Sequence, residues 1–256
     1  MKSGGARVRW RRDPHGARDE RRVARRSQRG ITLVEIVIGL AIIGIIASMG
    51  FARFNGWIDA QHARGAARDI ADAFTLARTE AIRTGNPHVV LFGITALTGV
   101  DGAGLPVDPL GTPLQNDPGE MAPIVVVNDA NGNCSIDPGE TTVPFPAKPN
   151  INWDVSTATV RAPNDTGAVA LGTGSTFASP ANPATPIPFV LFRAGDGVPV
   201  AFTGSAVTGC GTIGTTGSGS GSIYVTDGKR DYATTLAPMG GVRVHTWDSG
   251  TNTWTN

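Results

Sequence analysis

No proline stands between Pro14 and Pro87, and from Ile31 to Ala52 the only charged residue is Glu35. The missing helix breakers leave room for one long helix near the N-terminus. Cysteine is almost absent: Cys134 and Cys210, far apart in sequence, limit any covalent framework to a single bridge. In an oxidising compartment they would form one disulfide, and in cytosol they would be ordinary thiols. Aromatics make up only 6% of the chain, while Gly 34 and Pro 18 are abundant. That balance suits a loop-rich β domain and falls short of the disordered range. Signatures of catalysis are missing too. Gly228-Lys229 is followed by Arg230, and Gly221 is too far upstream for a P-loop. His15, His62, His88 and His245 are scattered, with no metal-ligand pair spacing, and there is no G-x-S-x-G elbow. The carboxylates lie in loops, where most are simply solvated. An enzyme is not expected.

The charge that is present is unevenly placed. Residues 1–30 hold Lys2 and ten arginines against Asp13, Asp19 and Glu20, a net +8, while the remaining 226 residues carry −7. A basic end of this kind is a targeting or surface-binding segment rather than part of a core. The acidic body disfavours a nucleic-acid footprint over its whole surface.

Ile31–Ala52 comprises 22 residues, which as a helix reach about 33 Å, enough for a hydrocarbon core of about 30 Å. Arg25, Arg26 and Arg29 precede it, so the positive-inside rule places the N-terminus in the cytoplasm and the body across the membrane. A cleaved secretory signal fits less well, because the run is long and no A-x-A-like site follows it. Helical patterning continues beyond the membrane. Ala63, Ala66, Ala67, Ile70, Ala73, Phe74, Ala77 and Ala81 form one apolar stripe, with Arg64, Arg68, Asp72, Thr75, Thr79 and Arg83 on the other face. Thr84-Gly85-Asn86-Pro87 is a helix stop. The chain therefore divides into a basic segment (1–30), a transmembrane helix (31–53), its continuation outside the membrane (54–85) and a β-rich domain (86–256). Glu35 is the anomaly, since a carboxylate in lipid costs about 2.5–3.5 kcal/mol and so marks a functional position.

Arg29-Gly30-Ile31-Thr32-Leu33-Val34-Glu35 resembles the processing signature of type IV pilin-like precursors. The resemblance implies cleavage between Gly30 and Ile31 by a prepilin peptidase, followed by N-methylation of Ile31. Ile31 departs from the phenylalanine commonest there, though large apolar residues are accepted. Val23 is an alternative start that would shorten an unusually long leader. Downstream, 67–92 resembles the helix-to-first-strand passage of the GspH/FimT family, and 192–200 and 229–247 resemble its late strands. That family groups the H pseudopilin of type II secretion with FimT-like minor pilins. The implied fold is α+β: a long N-terminal helix, membrane-spanning in its first half, packed on an antiparallel β-sandwich-like C-terminal domain. Implied partners are the prepilin peptidase, other pilins or pseudopilins through the N-terminal helix, and the lipid bilayer. Glu35 becomes residue five of the mature chain, where the resemblance implies pairing with a terminal amine, its own or a neighbouring subunit's, during assembly.

Within the body, His88–Phe92, Ile124–Val127, Ile151–Val155, Phe189–Phe192, Val198–Phe202, Ser222–Thr226 and Val242–Trp247 read as short strands. Residues 94–122 and 203–221 read as long surface loops. DANGNCSIDPGE (129–140) sets Asp129, Asn131, Asn133, Asp137 and Glu140 at the ligand spacings of an EF-hand calcium loop. Cys134 stands where that loop requires glycine and no helical pattern flanks it, so a polar hairpin tip is the preferred reading and calcium the alternative. Cys134 and Cys210 both fall in loops of the exported part, which favours a disulfide between them over two independent thiols. In the FimT-like subfamily the resemblance would look for a DNA-binding Gly-Arg-x-Arg motif. Here the stretch is Gly240-Gly241-Val242-Arg243, leaving Lys229, Arg230 and Arg243 as a small basic group beside Asp227, Asp231 and Asp248. Nucleic acid is therefore not the expected partner.

Overall fold

Thr32 opens the long helix. Its hydroxyl accepts the backbone N–H of Glu35 at 3.2 Å, and its carbonyl accepts that of Ile36. This is half of a capping box, with Glu35 as the acid in the first turn. The helix, α1, runs Leu33–Thr84. It stops where the sequence says it should: Gly85 turns left-handed at φ 72°, a conformation that costs glycine little. The computed structural model describes residues 31–92, 99–100, 106–107, 124–145, 148–204 and 209–256. It divides into two units, Met1–Met49 and Gly50–Asn256.

In the first unit the side chains from Ile31 to Ser48 are exposed apart from half-buried Gly39, and Ile31, Leu33 and Ile46 are 73%, 77% and 65% accessible. Among the described residues no helix is long and apolar enough to cross a membrane. The membrane-spanning part of the expected fold is thus not part of what the structure establishes.

In the second unit, α1 buries the expected alanine-rich stripe. Ala63, Ala66, Ala67, Ile70, Ala73, Phe74, Ala77 and Ala81 are all 0% exposed, and Ala60 extends the stripe by a turn. Small side chains let strands come close to the helix axis. Two antiparallel sheets share the core with it. The first contains β1 (His88–Leu91), β4 (Ile124–Asn128), β5 (Thr142–Phe145), β6 (Phe189–Phe192) and β7 (Pro199–Val200), in the order β5-β4-β1-β6-β7. The second contains β8 (Gly221–Thr226), β9 (Asp231–Leu236), β10 (Val242–Asp248) and β11 (Thr253–Thr255), in the order β11-β10-β9-β8. A small ribbon pairs β2 (Gly99–Val100) with β3 (Pro106–Val107). Phe74 joins α1 to the first sheet, its ring 6.2 Å from those of both Phe92 and Phe192 and 5.9 Å from Phe177. Thr234 of β9 donates its hydroxyl to the Ala67 carbonyl at 2.8 Å, tying the second sheet to the same helix.

The expected strands at 88–92, 124–127, 189–192, 222–226 and 242–247 are present with small shifts. Ile151–Val155 is not a strand: it makes one isolated bridge, Asn152 to Thr226, at the β8 edge of the second sheet. Val198–Phe202 shrinks to the two residues of β7, with a bridge from Phe202 to Ile213. The catalogue of β-prone runs passes over β9, whose sequence DYATTL is half polar yet wholly buried. It also misses β5 and β11. Most of the expected 94–122 loop lies outside the described residues, and β2 and β3 fall within it.

Candidate functional site

The first site is the start of α1. Gly30 and the basic segment before it lie outside the described residues. Ile31 is the first described residue, exposed, and Glu35 follows one helical turn later, also exposed. A carboxylate in the first turn of a helix is stabilised by the helix dipole. The cap was legible in the Thr-x-x-Glu spacing of Thr32 and Glu35.

The second is the loop 129–140. Asp129 is 0% exposed, and its two carboxylate oxygens accept the backbone N–H groups of Asn133 at 2.9 Å and Cys134 at 2.8 Å. Asp137 accepts the side-chain amides of Asn131 and Asn133, which hold its carboxyl below the usual carboxylate range. Glu140 closes the loop by accepting N–H groups of Ala130 and Asp137, both at 3.1 Å. Burial, with the charges of Asp129 and Asp137 adding to it, pushes the Glu140 carboxyl up despite those bonds. Cys134 adopts φ 62°, so it takes the left-handed conformation that an EF-hand loop gives to glycine. The five candidate ligands are therefore brought together, each held by the loop's own donors. Cys134 and Cys210 are joined in a disulfide across 76 residues of sequence, which pins this loop to the 209–211 segment. The Asp129 carboxylate and the two sulfurs lie within 4.8 Å of one another. Sulfurs bonded to each other offer no thiolate to a metal.

The third comprises the basic residues. Lys229 and Arg230 sit in the turn between β8 and β9, whose backbone N–H groups bond to Asp227 at 2.8 and 2.7 Å. They line a groove of about 430 Å³ together with Arg64 of α1, Tyr232, Trp247 and Asp248. Arg243 does not join them. It pairs with Thr235 near the opposite end of β10 and lines a different groove with Asn164, Thr166 and Pro238. The expected trio is thus divided, and Arg64, read above only as part of the helix's polar face, takes the third place.

Asp231, read in the sequence only as an acid beside the basic group, is a buried carboxylate. Asp231, 0% exposed at the start of β9, accepts five hydrogen bonds from the segment covering the outer face of the second sheet. They come from the N–H and hydroxyl of Ser156, the N–H and hydroxyl of Thr157, and the N–H of Ala158, at 2.6–3.0 Å. Burial alone would push its carboxyl up, but hydrogen bonds from Thr226 and from those backbone N–H groups hold it below the usual range.

Residues 25–51 match the family model described as a prokaryotic N-terminal methylation motif. The start of the chain thus carries the N-terminal motif that this model describes. A relative is type II secretion system protein H of Xanthomonas campestris pv. campestris, 36% identical over 66 residues. That match takes in 26% of this chain and 39% of the relative, so it covers well under half of either. No solved structure matches.

Proposed function

We propose that the chain is a minor structural subunit of a type II secretion pseudopilus or a type IV pilus. In this reading a prepilin peptidase cuts between Gly30 and Ile31 and the new amine of Ile31 is methylated. The observation that carries the reading is the methylation motif over residues 25–51, coinciding with the opening of α1 at Thr32 two residues beyond the cut. The run from Ile31 to Ala52 anchors the mature chain as a single span of the inner membrane, its 22 residues matching the hydrocarbon thickness. The body then lies on the periplasmic side, an oxidising setting that suits the Cys134–Cys210 bridge. The role is structural rather than enzymatic: α1 supplies the surface for other pilins or pseudopilins, and Glu35 pairs with a terminal amine as helices gather.

An unpaired carboxylate in lipid is costly, and an amine beside it offsets part of that cost. Glu35→Ala and Glu35→Leu should therefore leave membrane insertion intact while impairing incorporation into the filament. Normal incorporation of both variants would refute the pairing. The alternative, a FimT-like minor pilin that binds DNA, would draw on Lys229, Arg230 and Arg243. Their division between two grooves and the acidic body weigh against it. Tight, salt-sensitive binding in a gel-shift titration would reverse that ranking.

A further inference from the structure

We propose that the β8–β9 turn docks through Lys229 on the phosphates of an anionic lipid bilayer; this rests on the anchoring proposed above. Gly56 lies four residues beyond Ala52, where the apolar run ends, and four residues of helix rise about 6 Å. The headgroup region on each side of the hydrocarbon is about 5–7 Å deep. Lys229 brings its ammonium to this level: its Nζ is 3.7 Å from where a Cβ on Gly56 would stand. Trp57, the next residue, is 56% exposed, and an indole is a side chain that gathers at the membrane interface. The globular domain therefore folds one of its own cations back to the height at which the chain leaves the lipid.

Arg64 and Arg230 line the same groove as Lys229. Among the described residues the ion pairs are Arg83–Glu80, Lys148–Asp69 and Arg193–Asp196, so none of the three is in one. The carboxylates around them keep their charge but bond to other groups, and Asp248 lines the groove. Asp227 accepts the turn's own N–H groups, Asp231 is held by Ser156–Ala158, and Asp248 accepts Gly250 N–H and the Thr251 hydroxyl. Lys229 at headgroup height, with Arg230 beside it in the turn, fits a surface of lipid phosphates and gains from the negative surface potential. Duplex DNA offers the same phosphates, but it explains neither the level of the ammonium on the helix nor the adjacent exposed indole.

The chain has three lysines, Lys2, Lys148 and Lys229, which makes amine modification a direct test. The full chain would be reconstituted in vesicles of phosphatidylcholine alone or with added phosphatidylglycerol. A membrane-impermeant amine reagent would then be applied and each lysine read by mass spectrometry. Lys229 should react about fivefold more slowly in the phosphatidylglycerol vesicles, the protection should vanish at high salt, and Lys148 should not change. Carbonate extraction of the same vesicles tests the anchor separately. Retained protein with equal Lys229 reactivity in both vesicles would overturn the headgroup contact and leave the anchor standing. Release by carbonate would overturn both. Protection by duplex DNA with no effect of phosphatidylglycerol would assign the cations to nucleic acid instead.

Discussion

Replacing Asp231 should release the segment that covers the second sheet. The carboxylate takes five hydrogen bonds, two at Oδ1 from Ser156 and three at Oδ2 from Thr157 and Ala158. Bonds to a charged acceptor contribute about 1.5–3 kcal/mol each, but water can replace those to exposed groups. Ser156 and Thr157 are exposed, so their donors are rehydrated when the carboxylate is removed. Ala158 is only 7% exposed, and its N–H is left without an acceptor. One orphaned buried donor at about 1–3 kcal/mol, plus a residue from the exposed pairs, places Asp231→Ala at about 3 kcal/mol. Asp231→Asn should cost nearly as much. An amide retains one acceptor oxygen and turns an N–H₂ toward donors that need an acceptor. Urea unfolding of the detergent-solubilised full chain, followed by tryptophan fluorescence, measures both variants. Because the folded-state acid is stronger than a free aspartate, its stabilisation is fully present above about pH 3.9 and lost as pH falls through the lower folded value. The gap between wild type and Asp231→Ala should therefore be constant from neutrality to about pH 4 and narrow below it. A loss under 1 kcal/mol for Ala, or an Asn variant as stable as wild type, would refute the clamp.

Reducing the Cys134–Cys210 bridge, which closes 76 residues, should cost up to about 4.5 kcal/mol if the entropy of the unfolded loop dominates; an unchanged urea midpoint with dithiothreitol would contradict this. Phe74→Ala, at the meeting point of Phe92, Phe177 and Phe192, should destabilise by about 3–5 kcal/mol, and Phe74→Leu by clearly less. Equal losses by urea titration would show that the ring is not filling the core as described. The 129–140 loop is held by its own donors, so EDTA should leave the thermal midpoint unmoved. A fall of several degrees would show that the loop depends on a bound cation.

What could be read ahead of the structure was local and periodic. The helix stop at Thr84-Gly85 and the eight-residue stripe from Ala63 to Ala81 depend on neighbours three or four positions away, which a linear pattern records. Strands with uniformly apolar sequence, such as Phe189–Phe192, were also visible. β9 was not, because Thr234 is apolar by environment rather than by composition: its hydroxyl is satisfied by the carbonyl of Ala67, 167 residues away. Ile151–Val155 erred in the other direction, for β-prone side chains cannot reveal that only Asn152 will pair with the β8 edge.

The candidate site divides the same way. The motif from Gly30 to Glu35 is contiguous, and the cap that Thr32 gives Glu35 lies within one helical turn, so both were legible in the sequence alone. The 129–140 loop was legible for the same reason, down to the position of Cys134. Which cations share a groove was a matter of strand register. Antiparallel pairing of β9 with β10 sets Arg243 opposite Thr235, away from the turn, and α1 brings Arg64 to Lys229 and Arg230. The Asp231 clamp and the link between loops 76 residues apart likewise exist only once distant segments meet. Side chains become a site through the distances between them, and those distances are decided by tertiary packing.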